Sequence, residues 1–132
     1  MRTSLVLLLA ALTLACGGGP PAVATPSAVS AAVHLSLPDD VLDLELSDAS
    51  GMDPLAFARF TTLQAPAWAA LQGFTLADAG EDAIPAQPDL RWWRFAGGQC
   101  GERETGDAFT QICLEPLPEG GHAVLVRYQA AW

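Results

Sequence analysis

The sequence predicts a small α+β domain: a mostly antiparallel β-sheet, one or two short helices and one disulfide. Three observations lead there. Leucines alternate with polar residues in two early runs, strand-like runs flank a Pro-Glu-Gly-Gly turn near the C-terminus, and a stretch between them shows helical spacing. The chain has 132 residues. About a hundred of these follow the N-terminal segment, enough for one core and not for two.

Val33, Leu35 and Leu37 alternate with His34 and Ser36, and Leu42, Leu44 and Leu46 alternate with Asp43, Glu45 and Ser47. Period two is the mark of half-buried strands. With Pro38-Asp39-Asp40-Val41 as the turn, the two runs predict a hairpin with a leucine face and an acidic face. Ser50-Gly51-Met52 ends the pattern. Asp53 and Pro54 then read as N-cap and first residue of a helix that gathers Ala56, Phe60, Leu63 and Ala67 on one side. Pro66 opens a second short helix through Trp68 and Leu71, closed by Gly73. Residues 77–89 read as a loop. Leu90–Ala96, Thr110–Leu117 and Ala123–Ala130 read as strands, the last two joined across Pro118-Glu119-Gly120-Gly121.

Of three cysteines, Cys100 and Cys113 lie in the domain. An even pair in an exported chain predicts a disulfide closing a glycine-rich loop. The spacing is not the CxxC of a redox pair. A zinc site would need more ligands than these thiols with His34 or His122 supply.

The formal charge is −9, lysine is absent, and all six basic residues are arginine. Such acidity repels phosphate backbones and anionic headgroups, so nucleic acid is not an expected partner. Asp39, Asp40, Asp43, Glu45 and Asp48 lack EF-hand spacing and read as a solvated strand face. Neither His34 nor His122 belongs to an HExxH motif, and Ser36, Ser47 and Ser50 belong to no GxSxG or SxxK motif. No cofactor loop, metal motif or catalytic motif is present, and a non-enzymatic domain is expected. The most informative local feature is Arg91-Trp92-Trp93-Arg94. On a regular strand, Trp92 and Trp93 point to opposite faces. If one face is open, an indole meets water beside an arginine, the composition of binding hot spots. If loops or helices cover both faces, the indoles are core.

The N-terminus has a different character. Arg2 precedes an apolar run, Leu5 to Ala15. As a helix it would span about 16 Å, short of a ~30 Å hydrocarbon core. Its length is that of a signal-peptide core. The run ends Leu12-Thr13-Leu14-Ala15-Cys16, which resembles the lipobox of bacterial lipoproteins over residues 1–17, with Ala15 and Cys16 matching and Thr13 and Leu14 departing from the commonest residues. Thr13 and Ala15 also suit the small-x-small rule of ordinary secretion. The cysteine at the edge of the apolar run and the Gly17-Gly18-Gly19-Pro20-Pro21 stretch favour lipidation. The resemblance implies a signal peptide over 1–15, a diacylated, palmitate-bearing Cys16, and a bilayer as first partner. Gly17 after the cysteine implies the outer membrane, facing the periplasm, in a diderm cell. Residues 16–28 then form a flexible tether and 29–132 the globular domain.

These readings converge on a membrane-anchored, non-enzymatic envelope lipoprotein whose domain binds a protein partner or stabilises an envelope assembly. An inhibitor of a periplasmic or secreted hydrolase is the alternative, with Glu102, Glu104 and Asp107 of the disulfide loop facing a cationic enzyme. A hydrolytic enzyme is a third reading, requiring a histidine to meet a carboxylate and a serine.

Overall fold

A computed structural model describes residues 24–50 and 54–130. Helix α1 (Pro26–Val33) leads into strands β1 (Leu42–Ser50) and β2 (Pro54–Thr62). Helix α2 (Ala65–Leu71) and a short strand β3 (Ala77–Ala79) follow, then a 3-10 turn at Glu81–Ala83. Strands β4 (Gly98–Thr105), β5 (Ala108–Pro116) and β6 (His122–Ala130) complete the order. All six strands form one antiparallel sheet in the order β1-β2-β6-β5-β4-β3. The predicted α+β class with one disulfide is therefore what forms.

Strand register decides which side chains share a face, because successive residues alternate. Ala58 pairs with Val126, which pairs with Ile112. These and their i±2 neighbours Phe60, Val124 and Leu114 face α1 and α2, and pack with Val29, Val33, Trp68 and Phe74 in the larger core. Phe57, Leu125 and Cys113 point the other way and pack under Ile84, Trp93 and Phe95. The central strands are thus buried on both faces: Ala56, Phe57, Ala58 and Phe60 in β2, and residues 123–126 of β6. One cover is helical; the other is the irregular segment between β3 and β4.

Local chemistry fixes the two helices. Thr25 caps α1, accepting from the Ala28 amide at 3.1 Å, with proline in the first turn. His34 ends the helix with φ 56, a left-handed cap. Proline also sits in the first turn of α2, and Gly73 follows with φ 89, so this helix forms where the sequence placed it. Two-residue turns need a glycine where φ is positive: Gly106 (φ 57) lies between the paired Thr105 and Ala108 of β4 and β5.

Three sequence expectations give way. The Val33–Leu37 run is no strand, and β1 pairs instead with β2. Val33 closes α1, and Leu35 and Leu37 drop onto the core from an irregular segment, which yields the same alternation. Side chains satisfy its carbonyls: Ser30 Oγ donates to Leu35 O and Trp68 Nε1 to Ser36 O, each at 2.6 Å. The helix expected from Pro54 is strand β2. Burial on both faces erases the polar half of a period-two pattern, and the remaining apolar residues mimic helical spacing. The Leu90–Ala96 strand is a series of turns, with Trp93 N donating to Leu90 O at 3.1 Å. In addition, α1 begins inside the stretch read as tether, since Val29 is fully buried and Pro26 opens the helix.

Candidate functional site

The four residues expected to form a contact surface separate into two groups. Trp93 is a core residue, 4% exposed. Its ring meets Phe57 edge-on at 4.8 Å, and Nε1 donates to Pro85 O at 2.8 Å. Its polar handle is therefore spent inside the cover. Trp92 is half-buried and meets Trp93 edge-on at 6.2 Å; Arg91 and Arg94 are exposed. Residues 90–96 form turns and no strand, so Trp92 and Trp93 do not alternate across a sheet. What reaches solvent is two guanidinium groups and part of one indole.

Cys100 and Cys113 form the disulfide, S–S 2.08 Å. They are direct partners on β4 and β5, with Cα atoms 4.1 Å apart. The expected loop between them is in fact a hairpin, with Glu102, Glu104 and Asp107 exposed. Cys16 lies outside the described residues.

The histidines stand apart. His34 stacks on Tyr128 at 4.5 Å between ring centroids. His122 starts the same strand, so the two lie about 20 Å apart at the usual strand rise. His122 Nδ1 is buried without a hydrogen-bond partner. Among the described residues no three His, Cys, Asp or Glu side chains converge as metal ligands, and no helix is long and apolar enough to cross a membrane.

A groove that the sequence reading did not single out lies where β1, the end of β2 and the β5–β6 turn meet. Its volume is about 330 Å³, and it is lined by Leu42, Leu63 and Leu117 with Asp40, Asp43 and Glu119. Leu42 and Leu63 are 66% and 76% exposed. A β-bulge explains Leu42. The register shifts between Leu42 and Glu45, with Asp43 at φ 53. The extra residue reverses the alternation, so Leu44 and Leu46 pack on the core while Leu42 turns outward.

Asp40 organises the far wall. Its carboxylate accepts from Thr62 Oγ1 (2.5 Å), the Leu63 amide (2.8 Å) and Gln64 Nε2 (3.2 Å). The Thr62 hydroxyl, then the Leu63 amide, holds its pKa below the ordinary aspartate value. The network ties the Pro38–Val41 segment to the exit of β2 and props Leu63 at the rim. Gly121, next to the lining Gly120, packs against the end of β2. Its φ is 75, and a Cβ there would lie 2.7 Å from Thr62 O, so only glycine fits. The sequence places Leu63 on the apolar face of a helix; in the structure it falls between β2 and α2, where neither element buries it.

No protein-family model, curated protein or solved structure matches this chain.

Proposed function

We propose that the chain is an exported lipoprotein, anchored through diacylated Cys16, whose domain binds a protein partner in the cell envelope and performs no catalysis. The observation that carries this reading is the Met1–Cys16 segment: one positive charge, an eleven-residue apolar run and a cysteine at its edge. Two acyl chains hold a protein firmly at a bilayer, at about 0.8 kcal/mol per buried methylene. The Cys100–Cys113 disulfide fits an oxidising compartment. In a diderm cell, Gly17 after the cysteine favours the outer membrane.

Palmitate labelling tests the anchor. The wild type should incorporate label and the Cys16→Ala form should not, and mass spectrometry should find residues 1–15 removed. An exported form with a bare Cys16 thiol, or with its leader retained, overturns the proposal.

A second reading, inhibition of a cationic hydrolase, is favoured by the β4–β5 hairpin, which presents Glu102, Glu104 and Asp107 on a frame closed by the disulfide. Loss of lysozyme activity on addition of the protein, relieved by Glu102→Gln and Glu104→Gln, would support it. Unchanged lysozyme and protease activity at micromolar protein would remove it.

A further inference from the structure

We propose that the Leu42–Leu63–Leu117 groove is the docking site of the domain for a basic, amphipathic segment of a partner protein, one that sets leucine-like side chains beside lysine or arginine. The proposal rests on the binding-module reading and names the surface and the chemistry of the partner.

Among the described residues, the groove gathers two of the three large hydrophobic side chains left exposed; the third, Leu71, lies on α2. Isolated exposed leucines are ordinary, but neighbours around a cavity mark a contact surface. A volume of about 330 Å³ is at the small end of ligand pockets, enough for two or three side chains of a peptide. The rim decides which peptide. Asp40, Asp43 and Glu119 ring the leucines, and among the described residues no basic side chain lines the cavity. A lysine or arginine can lay its methylenes on the leucines and keep its charge at the carboxylates.

The same charges argue against other occupants. A second copy docked by a two-fold contact would set this acidic rim against the same rim of its partner, in a chain already at −9. Anionic lipid headgroups meet the same repulsion. The groove is also held in shape beforehand. Asp40 is fixed by three hydrogen bonds, and Gly121 packs against Thr62, so little ordering is needed on binding.

The test uses the purified mature protein in a neutral detergent beside its Cys16→Ala form. Fluorescence anisotropy measures binding of a labelled Leu/Lys amphipathic peptide, with a Leu/Glu peptide as control. Saturable binding of the Leu/Lys peptide alone is expected, in both forms. Leu42→Ser with Leu63→Ser should weaken it about tenfold, and Asp43→Asn with Glu119→Gln should reduce its dependence on salt. Glu102→Gln with Glu104→Gln, at the far end of β4 and β5, should leave it unchanged.

Absence of saturable binding, or binding indifferent to the leucine changes, overturns the proposal, because then only net charge attracts the peptide. So does a dimer that Leu63→Ser dissolves, or tighter peptide binding once residues 17–23 are deleted; these assign the groove to a second copy or to the chain's own tether. Peptide binding without palmitate on Cys16 would leave the groove standing and remove the anchor, and the converse result would do the opposite.

Discussion

Asp40 shows how one half-buried carboxylate can hold two segments together. Its acceptor atoms take the Thr62 hydroxyl, the Leu63 amide and the Gln64 side chain, and these bonds favour its charged form. Because the folded pKa is lowered, the stabilisation is complete above about pH 4 and fades as pH falls through the folded value. Asp40→Asn should therefore lower the urea midpoint at neutral pH, and the gap from wild type should narrow as pH falls below about 4. A gap that stays constant across that range would mean that the carboxylate charge contributes nothing. Thr62 was unremarkable in the sequence, yet it is 4% exposed and makes the shortest of these contacts.

Among the elements, the β4–β5 hairpin depends most on a covalent link. The disulfide joins residues thirteen apart in sequence, worth about 3 kcal/mol if it acts by restricting the unfolded chain. Replacing both cysteines by alanine should lower Tm by about 10–20 °C, measurable by thermal melting with and without reductant. A Tm unchanged by reduction would show that strand pairing alone holds the hairpin. The elements also show what the sequence made legible. Strands β5 and β6 and helix α2 were readable because their ends carry glycine or proline at turns. Strand β4 was hidden by four glycines between positions 97 and 106, which read as a flexible loop although the paired cysteines sit opposite each other. Strand β2 was taken for a helix because Ala56, Phe57, Ala58 and Phe60 are all buried. A strand with both faces covered leaves no alternation to read. The groove was illegible for a related reason. Its outward Leu42 follows from a bulge, and a bulge has no fixed sequence signature.

At the scale of the whole molecule, the sheet is covered differently on its two faces, and the covers differ in what holds them. Helix α1 buries Val29 and Val33, and α2 buries Ala65, Trp68 and Ala69. The cover between β3 and β4 relies on Ile84, Trp93 and Phe95, with Gln111 Nε2 donating to Ala83 O at 2.8 Å and the Ala96 amide donating to Glu115 Oε1 at 2.6 Å. Removing Trp93 should loosen this cover first. Trp93→Ala should cost about 3–5 kcal/mol, a large part of the 5–15 kcal/mol that holds typical domains folded. Limited trypsin digestion should then cut after Arg91 and Arg94 faster than after Arg127, which lies within β6. Equal cutting at the three arginines would mean that the molecule opens as one unit.

The early start of α1 limits where the molecule can work. Only nine peptide units separate Cys16 from Thr25, the residue that caps the helix, and even drawn straight they cover at most about 30 Å. If the sulfur is acylated, the leash is hardly longer than the globule it holds, whose radius of gyration is about 13 Å. Anything the domain grips must then come within a few nanometres of the lipid surface: a neighbouring membrane protein, or a soluble one recruited to the same thin layer.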